Sequence, residues 1–406
     1  MKKVLLVLLV VSVAFLFATE SRVMSMGGVQ GFIDDNTDVF LYPGTIINYS
    51  GQVVSELRMK GVDNSYTVGL HLPKGSSVFG VYLNSPIGNY FDIPNTIGEG
   101  EFGSDLFGNV VLTNAMELIY GTQLNGYDFG TRFTYAADKD TDEWIAQDNN
   151  GDDFKMEQNE GTYLLGLGIG LSNETIDFGM SFDLPGVSWE QKGDGDKTEE
   201  LWSGFGLGFD LRNTMNHGET NIVTLIKFDV ESSKHTLDTG VDGVQEYETE
   251  YSDMDMGIAF GASYRLSENN LVILGVEPFS MNTSKKTIED NNDLNINGRE
   301  ISTRTINLPG IYAGVESQIK PWLTGRFGAS QIYRSTTTIT DPDEGSETEE
   351  TNNFKDYALS FGLGFHFGNF TIDGIVNEGL FFDGPNFISG SNEPISTRIS
   401  LTYDFE

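Results

Sequence analysis

Charged side chains on the polar faces of alternating segments are the first candidates for chemistry in this chain. Arginines and carboxylates both occur at such positions. The candidates are Arg132, Arg265, Arg326, Arg398, Asp210, Asp255 and Asp373. If the segments form the wall of a channel, positive and negative side chains on its inner face can form a polar constriction or hold an internal segment by ion pairs. The alternative interpretation is that they are solvated wall residues that meet no substrate.

An acidic stretch between residues 138 and 153 offers oxygen atoms at spacings that resemble calcium-binding loops. Asp148, Asn150 and Asp152 are its candidate ligands, since hard cations take several carboxylate or carbonyl oxygens. The glycine is not at the sixth place from Asp148, and the twelfth residue is Asn159 rather than glutamate. The pattern therefore favours a solvated acidic loop, and we predict no firm metal site and no cofactor. Acidic loops of this kind could share divalent cations with surface glycolipid.

Catalysis is not expected. The histidines are His71, His217, His235 and His366, and no serine motif accompanies them. Lumen-lining or structural roles explain them, so the sequence predicts a protein that is not an enzyme.

The elements that position these residues alternate with a period of two. Between Tyr357 and Phe367, the tyrosine, leucine and phenylalanine side chains share one face, whereas alanine, serine, glycine and histidine share the other. Sixteen such segments follow one another. A soluble β-sandwich could alternate in the same way.

The connections favour a membrane barrel over a sandwich. Short turns such as 73–75, 125–126 and 368–369 alternate with long acidic stretches such as 138–158 and 340–352. Tight turns on one side and longer loops on the other are typical of an outer-membrane barrel with an even number of strands. Aromatic residues collect beside the short turns, and the final segment, 395–405, alternates up to its terminal phenylalanine. Such a strand closes a barrel by pairing with the first one.

Composition agrees with export. Residues 1–18 combine two lysines with a short apolar run, which predicts a signal peptide. The chain has no cysteine, and its formal net charge of −36 makes nucleic acid an improbable partner. No later stretch reaches the roughly 18 to 20 apolar residues that a membrane helix needs.

A short motif resembles the N-terminal signature of the FadL-like and PorV-like outer-membrane barrel superfamily. It consists of Met26-Gly27-Gly28, the pair Asp34-Asp35, and Pro43 within a Tyr-Pro-Gly sequence where the superfamily has Asn-Pro-Ala. The resemblance covers about twenty residues and implies a segment packed in the lumen as a hatch. Members usually have fourteen strands, so the resemblance also implies an alternative count of fourteen in which the short segments 77–84 and 370–377 are loop. Members include fatty-acid channels, aromatic-hydrocarbon channels and barrels that serve protein secretion.

The sequence therefore predicts an all-β protein, a transmembrane antiparallel β-barrel of 14–16 strands in the cell outer membrane. Its predicted parts are a signal peptide at 1–18, a plug segment at 19–48 and the barrel at 49–406. We expect passive uptake of a small hydrophobic or amphipathic solute through a plugged lumen. A non-transporting structural or secretion-associated barrel and an open cation-preferring porin are the alternatives. Expected partners are outer-membrane lipid, surface glycolipid, the barrel-assembly machinery and a small solute.

Overall fold

A computed structural model describes residues 20–29, 31–60, 63–85, 115–147, 153–193, 196–238, 246–290, 298–341, 346–376 and 396–405. The predicted signal peptide and the calcium candidates Asp148, Asn150 and Asp152 lie outside the described residues.

The described strands form one closed antiparallel barrel in which each strand pairs with its neighbours in the sequence. The strands are β1 (Gln52–Lys60), β2 (Asp63–Lys74), β3 (Ser77–Leu83), β4 (Met116–Leu124), β5 (Tyr127–Gln147), β6 (Asp153–Ser172), β7 (Ile176–Gly193), β8 (Asp196–His217), β9 (Thr220–Asp238), β10 (Glu246–Ser267), β11 (Asn270–Asp290), β12 (Arg299–Lys320), β13 (Leu323–Asp341), β14 (Thr348–Phe367), β15 (Phe370–Val376) and β16 (Ser396–Asp404). The barrel has sixteen strands, because both short segments of uncertain status, now β3 and β15, belong to it.

The last strand closes the barrel on the first. Gln52 of β1 lies opposite Asp404 of β16, and the register continues without a shift to Arg58 opposite Arg398. Closure leaves neither strand with an open edge of unpaired backbone groups, which a strand surrounded by lipid could not tolerate. The predicted role of the terminal segment is confirmed.

The outer face of the wall is apolar. Leu165, Leu167, Ile169 and Leu171 of β6 are all exposed, and the residues between them face inward. The same alternation occurs in the neighbouring strands, and rings such as Trp322 are exposed beside the short turns. An exposed apolar band with aromatic residues at its edge is the surface that meets a bilayer.

Several predicted loops are instead extensions of the strands. Residues 138–147 belong to β5, 153–158 to β6 and 348–352 to β14. A membrane strand needs about 9–11 residues, so strands of this length continue well beyond the lipid. Acidic side chains at these ends are tolerated because they are solvated or paired, as Glu143 is with Lys155 at 2.7 Å, while the backbone keeps its ladder.

The residues before the barrel form a compact segment without strands. We call residues 20–29 and 31–51 the N-terminal segment. It contains helix α1 (Glu20–Met24) and two 3-10 helices, Asn36–Phe40 and Pro43–Tyr49. Asp35 caps the first 3-10 helix through the backbone N–H of Thr37, and Asp38 accepts the N–H of Asp35 in return. None of the helices among the described residues is long and apolar enough to cross a membrane.

Glycines of the inner wall allow the N-terminal segment to approach the sheet. A Cβ added to any of these glycines would meet an atom of the segment. The pairs are Gly80 and Gly121 with Ile46, Gly130 and Gly170 with Pro43, Gly179 with Leu41, Gly261 and Gly275 with Phe32, Gly314 and Gly328 with Met26, and Gly362 with Ser25. These glycines lie on strands β3 to β14, around most of the circumference. A single segment can contact so many strands only from within the barrel.

This close packing predicts that a methyl group at Gly179 disturbs the segment. A Cβ there would overlap the carbonyl oxygen of Leu41, which belongs to backbone and cannot rotate away. We expect Gly179→Ala to destabilise the packing of the segment by about 1–3 kcal/mol. Native-state proteolysis of the segment measures the effect. Gly374→Ala is the control, because its Cβ would meet only ordinary contacts at 3.8 Å; equal cleavage of both variants would contradict the prediction.

Candidate functional site inside the barrel

Arg212 of β8 joins the N-terminal segment to the wall through three carboxylates. Its Nη1 donates to Asp38 at 2.7 Å and its Nε donates to Asp177 of β7 at 2.7 Å. Its Nη2 lies 3.2 Å from Asp34, and its guanidinium carbon lies 5.1 Å from the ring centre of Tyr42. The side chains of Arg212 and Asp38 are almost fully buried. Buried charges of this kind are stable only when they are paired, so the contact fixes the first 3-10 helix against β7 and β8.

A second ion-pair cluster holds helix α1 against the opposite wall. Arg22 makes two hydrogen bonds to Glu316 of β12, at 2.9 and 3.1 Å. Glu316 also accepts from Nε of Arg326 at 2.7 Å, and Arg326 in turn pairs with Asp373 of β15. Arg22 lies 3.8 Å from Asp35 as well. The cluster therefore links the segment to β12, β13 and β15.

A third cluster lies at the closure of the barrel. Arg58 and Arg398 are directly opposite each other on β1 and β16, which would repel if both were unpaired. Glu20 of the segment and Glu56 of β1 each pair with both arginines. Burial alone would raise the pKa of the Glu20 carboxyl, but Arg398 and Arg58 hold that pKa below its usual value of 4.5. Glu20 therefore stays charged and bridges the first and last strands.

Arg132 contacts a backbone group of the N-terminal segment, whereas the arginines of the first and third clusters contact its carboxylates. The Nη1 of this buried arginine donates to the carbonyl oxygen of Phe40, at the end of the first 3-10 helix.

Two apolar clusters complete the attachment of the N-terminal segment to the wall. One places Met26, Val29 and Phe32 against Val223 and Ile273. The other places Val39 and Ile46 against wall residues of β1, β3 and β4.

Carboxylates form rows on the inner wall beyond the segment. Cross-strand pairing defines three adjacent rows on strands β7 to β10. They are Asp183, Gly206, Glu231 and Asp253; Ser181, Gly208, Asp229 and Asp255; and Gly179, Asp210, Lys227 and Gly257. Lys227 donates to Asp229 at 2.8 Å and to Asp255 at 3.0 Å. With six carboxylates and one lysine, this part of the inner wall carries a strong negative potential.

A cavity of about 430 Å³ lies between the segment and strands β8 to β11, beside the short β8–β9 turn. Its apolar lining includes Phe32, Ile33 and Leu271, and its polar lining includes Arg22 and Arg265. Arg265 is exposed and forms no ion pair among the residues that the structure describes. The cavity thus combines an apolar surface with an accessible guanidinium.

The predicted site residues fall into different groups in the structure. Arg132, Arg326 and Arg398 all contact or neighbour the N-terminal segment through the clusters above, and Asp373 is the partner of Arg326. Asp210 and Asp255 lie in the carboxylate rows instead, and Arg265 lines the cavity. Of the motif, Asp34 and Asp35 meet Arg212 and Arg22, whereas Met26, Gly27 and Pro43 contact wall backbone. Gly28 has a positive φ of 72° and open space beside it.

Sequence reasoning missed Arg212, the arginine with the most carboxylate partners. The signal was available, because Arg212 continues the inward phase of Gly206, Gly208 and Asp210. The alternating segment that begins at Leu201 is predicted to end at Leu211 and the next turn to begin at Asn213, so Arg212 falls between the two and is not among the candidates. Strand β8 continues to His217. Arg22 and Glu20 carried no such signal, since helix α1 was not anticipated.

The histidines form hydrogen bonds to backbone carbonyl oxygens, hydroxyl groups and a carboxylate. His71 contacts the carbonyl oxygen of Tyr49 at 2.7 Å and the hydroxyl of Tyr82 at 2.6 Å. His235 contacts Glu200, and His366 contacts the hydroxyl of Thr324 at 2.9 Å. No group of three or more His, Cys, Asp or Glu side chains within the described ranges could hold a metal ion.

The closed antiparallel wall, its exposed apolar band and its charged interior define an outer-membrane β-barrel. No family model matches the chain, and no curated protein matches it. Solved structures that resemble it include a deltaS2 mutant of the monoaromatic hydrocarbon channel TodX, with 13% identity, a TM-score of 0.39 and coverage of 95% of this chain and 98% of that one. The P. putida toluene transporter TodX has 12% identity, a TM-score of 0.35 and coverage of 95% and 98%.

The ferric yersiniabactin uptake receptor FyuA from Yersinia pestis is also similar, with 9% identity, a TM-score of 0.32 and coverage of 87% of this chain and 80% of that one. At such identities and TM-scores, these similarities add nothing to the barrel that the strand pairing defines.

The Arg212 cluster predicts a large effect of one substitution. Arg212→Gln leaves Asp38 and Asp177 buried without their cation, which costs about 3–5 kcal/mol when a buried pair is broken. We expect the free energy for release of the N-terminal segment, measured by native-state proteolysis, to fall by that order. Lys155→Gln is the control, because it removes an ion pair that is more than half exposed and should change nothing measurable. Equal effects of the two substitutions would contradict the role of Arg212.

The lowered pKa of Glu20 predicts a dependence on pH. A carboxyl with a depressed pKa in the folded protein stabilises it above the usual value of 4.5, and this stabilisation is lost as the pH falls through the depressed value. The contribution of the Glu20 cluster should therefore remain constant from pH 7 to pH 5 and decline only below 4.5. The measurement is the difference in melting temperature between the unaltered protein and Glu20→Gln across this range. A difference that disappears between pH 7 and pH 5 would refute it.

Proposed function

We propose that this outer-membrane barrel is a channel for the passive uptake of a small hydrophobic or amphipathic solute, and that the N-terminal segment plugs its lumen. The observation that carries the proposal is the attachment of the segment. It contacts the inner wall on strands around the circumference, yet it contributes no strand to the sheet. A segment attached in this way can move without opening the backbone ladder.

The polar contacts of the segment can be exchanged for contacts with water if the segment shifts. Arg22, Arg58, Arg212 and Arg398 form its principal polar contacts with carboxylates. Each of these charged groups could be hydrated after such a shift, whereas the two apolar clusters would expose apolar surface to water and therefore favour the closed state. The ion pairs thus give the closed state a defined geometry and a limited set of contacts to exchange.

The cavity beside Arg265 supports the solute class. Phe32, Ile33 and Leu271 offer an apolar surface, and the guanidinium and neighbouring hydroxyl groups offer a polar one. The lining is mainly polar with an apolar patch, which suits an amphipathic solute better than a purely hydrophobic one. The cavity lies beside the segment, so movement of the segment would change its access to the lumen.

The proposal includes no catalytic step. Outer-membrane lipid, surface glycolipid and the assembly machinery remain proposed partners of the barrel. The two other functions predict different behaviour. A structural or secretion-associated barrel has no solute flux, and an open porin conducts without any change to the segment. The carboxylate rows would make such a porin prefer cations, with a preference that falls as salt screens them.

Conductance in planar bilayers tests the proposal directly. The samples are the full chain, a deletion of residues 21–47, and the double variant Arg212→Gln/Arg326→Gln, with Lys155→Gln as the matched control. We expect small or absent steps for the full chain and the control, larger steps for the double variant, and the largest for the deletion. Proteoliposomes should then take up toluene or benzyl alcohol faster when they contain the double variant.

Each alternative has its own outcome in this experiment. Large, cation-selective steps from the full chain would establish an open porin. Absence of conductance and of solute uptake from every correctly folded sample would overturn transport and leave the structural barrel.

A further inference from the structure

A run of oxygen-bearing side chains crosses four neighbouring strands on the inner wall. Glu117 of β4 lies opposite Thr134 of β5, Thr134 lies opposite Gly166 of β6, and Gly166 lies opposite Asp183 of β7. All four residues share one row of the barrel, on the lumen side of the wall. Because Gly166 has no side chain, the side chains of its two neighbours, Thr134 and Asp183, can approach each other above it.

Three oxygens in this row lack hydrogen-bond partners within the described part of the structure. They are Oε2 of Glu117, Oγ1 of Thr134 and Oδ1 of Asp183. The residues are 0%, 1% and 3% exposed, so water does not cover them. The other carboxylate oxygen of Glu117 accepts from the Ser85 hydroxyl at 2.9 Å, which orients the side chain. A buried carboxylate oxygen without a partner carries a full desolvation cost, and two of them occur here together.

Geometry brings two of these oxygens to the same point. A Cβ built on Gly166 would lie against Oδ1 of Asp183 and 3.3 Å from Oγ1 of Thr134. The Asp183 oxygen therefore lies where a side chain on Gly166 would be, and the Thr134 hydroxyl lies beside it. An added methyl group would push the Asp183 oxygen away.

The charges of the surrounding side chains indicate which kind of ion these oxygens can bind. Glu117 and Asp183 contribute two negative charges, and the Arg132 guanidinium acts on both of them electrostatically. One further positive charge would neutralise the group, whereas a divalent ion would leave it positive. Carboxylate and hydroxyl oxygens are hard ligands of the kind that alkali and alkaline-earth cations take.

We propose that the oxygens of Glu117, Thr134 and Asp183 above Gly166 bind a monovalent metal cation of the size of sodium or potassium. The site is separate from the solute cavity beside Arg265 and does not depend on transport. It also adjoins the N-terminal segment, because Arg132 donates to the Phe40 carbonyl oxygen. A bound cation satisfies the two carboxylates and leaves the Arg132 contact with Phe40 in place, so occupancy should stabilise the segment in its closed position.

Thermal unfolding of the full chain in detergent provides the first test. The melting temperature is compared in sodium or potassium chloride and in N-methylglucamine chloride at the same ionic strength, because that organic cation is too large for the site. We expect a higher melting temperature in the metal salts, with a shift that grows with the logarithm of the cation concentration. Gly166→Ala and Thr134→Val should reduce or abolish the shift, since one displaces the Asp183 oxygen and the other removes a ligand.

Thr348→Val, an exposed threonine near the start of β14, is the matched control and should keep the full shift. The second test is crystallographic. Crystals soaked in thallium(I) should show an anomalous peak between the three oxygens. The proposal is overturned if the peak is absent, or if the metal-dependent shift is missing or survives unchanged in both site variants. In those cases the carboxylates hold protons, or the cation binds elsewhere.

Discussion

The structure depends on one constraint, which is that backbone N–H and C=O groups in lipid must be paired with each other. A sheet meets this constraint only when it closes, and pairing of β1 with β16 achieves the closure. Every wall residue then points either to lipid or to the interior. The apolar residues take the outer face, so glycines, hydroxyls and charges are left for the inner one. The chemistry of this protein is therefore concentrated inside the barrel.

The N-terminal segment contacts the inner wall on many strands. Its contacts are of two kinds that complement each other. Inner-wall glycines such as Gly179 and Gly328 let backbone approach backbone, which sets the position of the segment. Clusters around Arg212, Glu316 and Glu20 then supply directional, charge-assisted bonds. Close packing fixes where the segment lies, and the ion pairs determine how strongly it is held there.

Charge is distributed unevenly along the interior. Where the segment lies, arginines and carboxylates balance each other through direct pairs. Beyond it, carboxylates outnumber cations in the rows that contain Asp183, Asp229 and Glu231. Arg132 lies at the border between these regions, since it donates to Phe40 and also acts on Glu117 and Asp183. The position of the N-terminal segment and the electrostatics of the carboxylate rows are thus linked through a single buried side chain.

The strands of the barrel wall could be predicted from the sequence alone. A period of two is a local property, so alternation in segments such as 357–367 predicted strands and their apolar face. The alternation of short and long connections predicted an even number of strands, and the terminal segment predicted closure. Strand ends were misjudged where acidic residues continue the ladder, as at 138–147, because polarity indicates solvent and not the absence of pairing. Only the tertiary structure decided which inward charges meet. Arg212 and Asp38 are 174 residues apart and Arg22 and Glu316 are 294 apart, and no local pattern records which residues a closed barrel brings into contact.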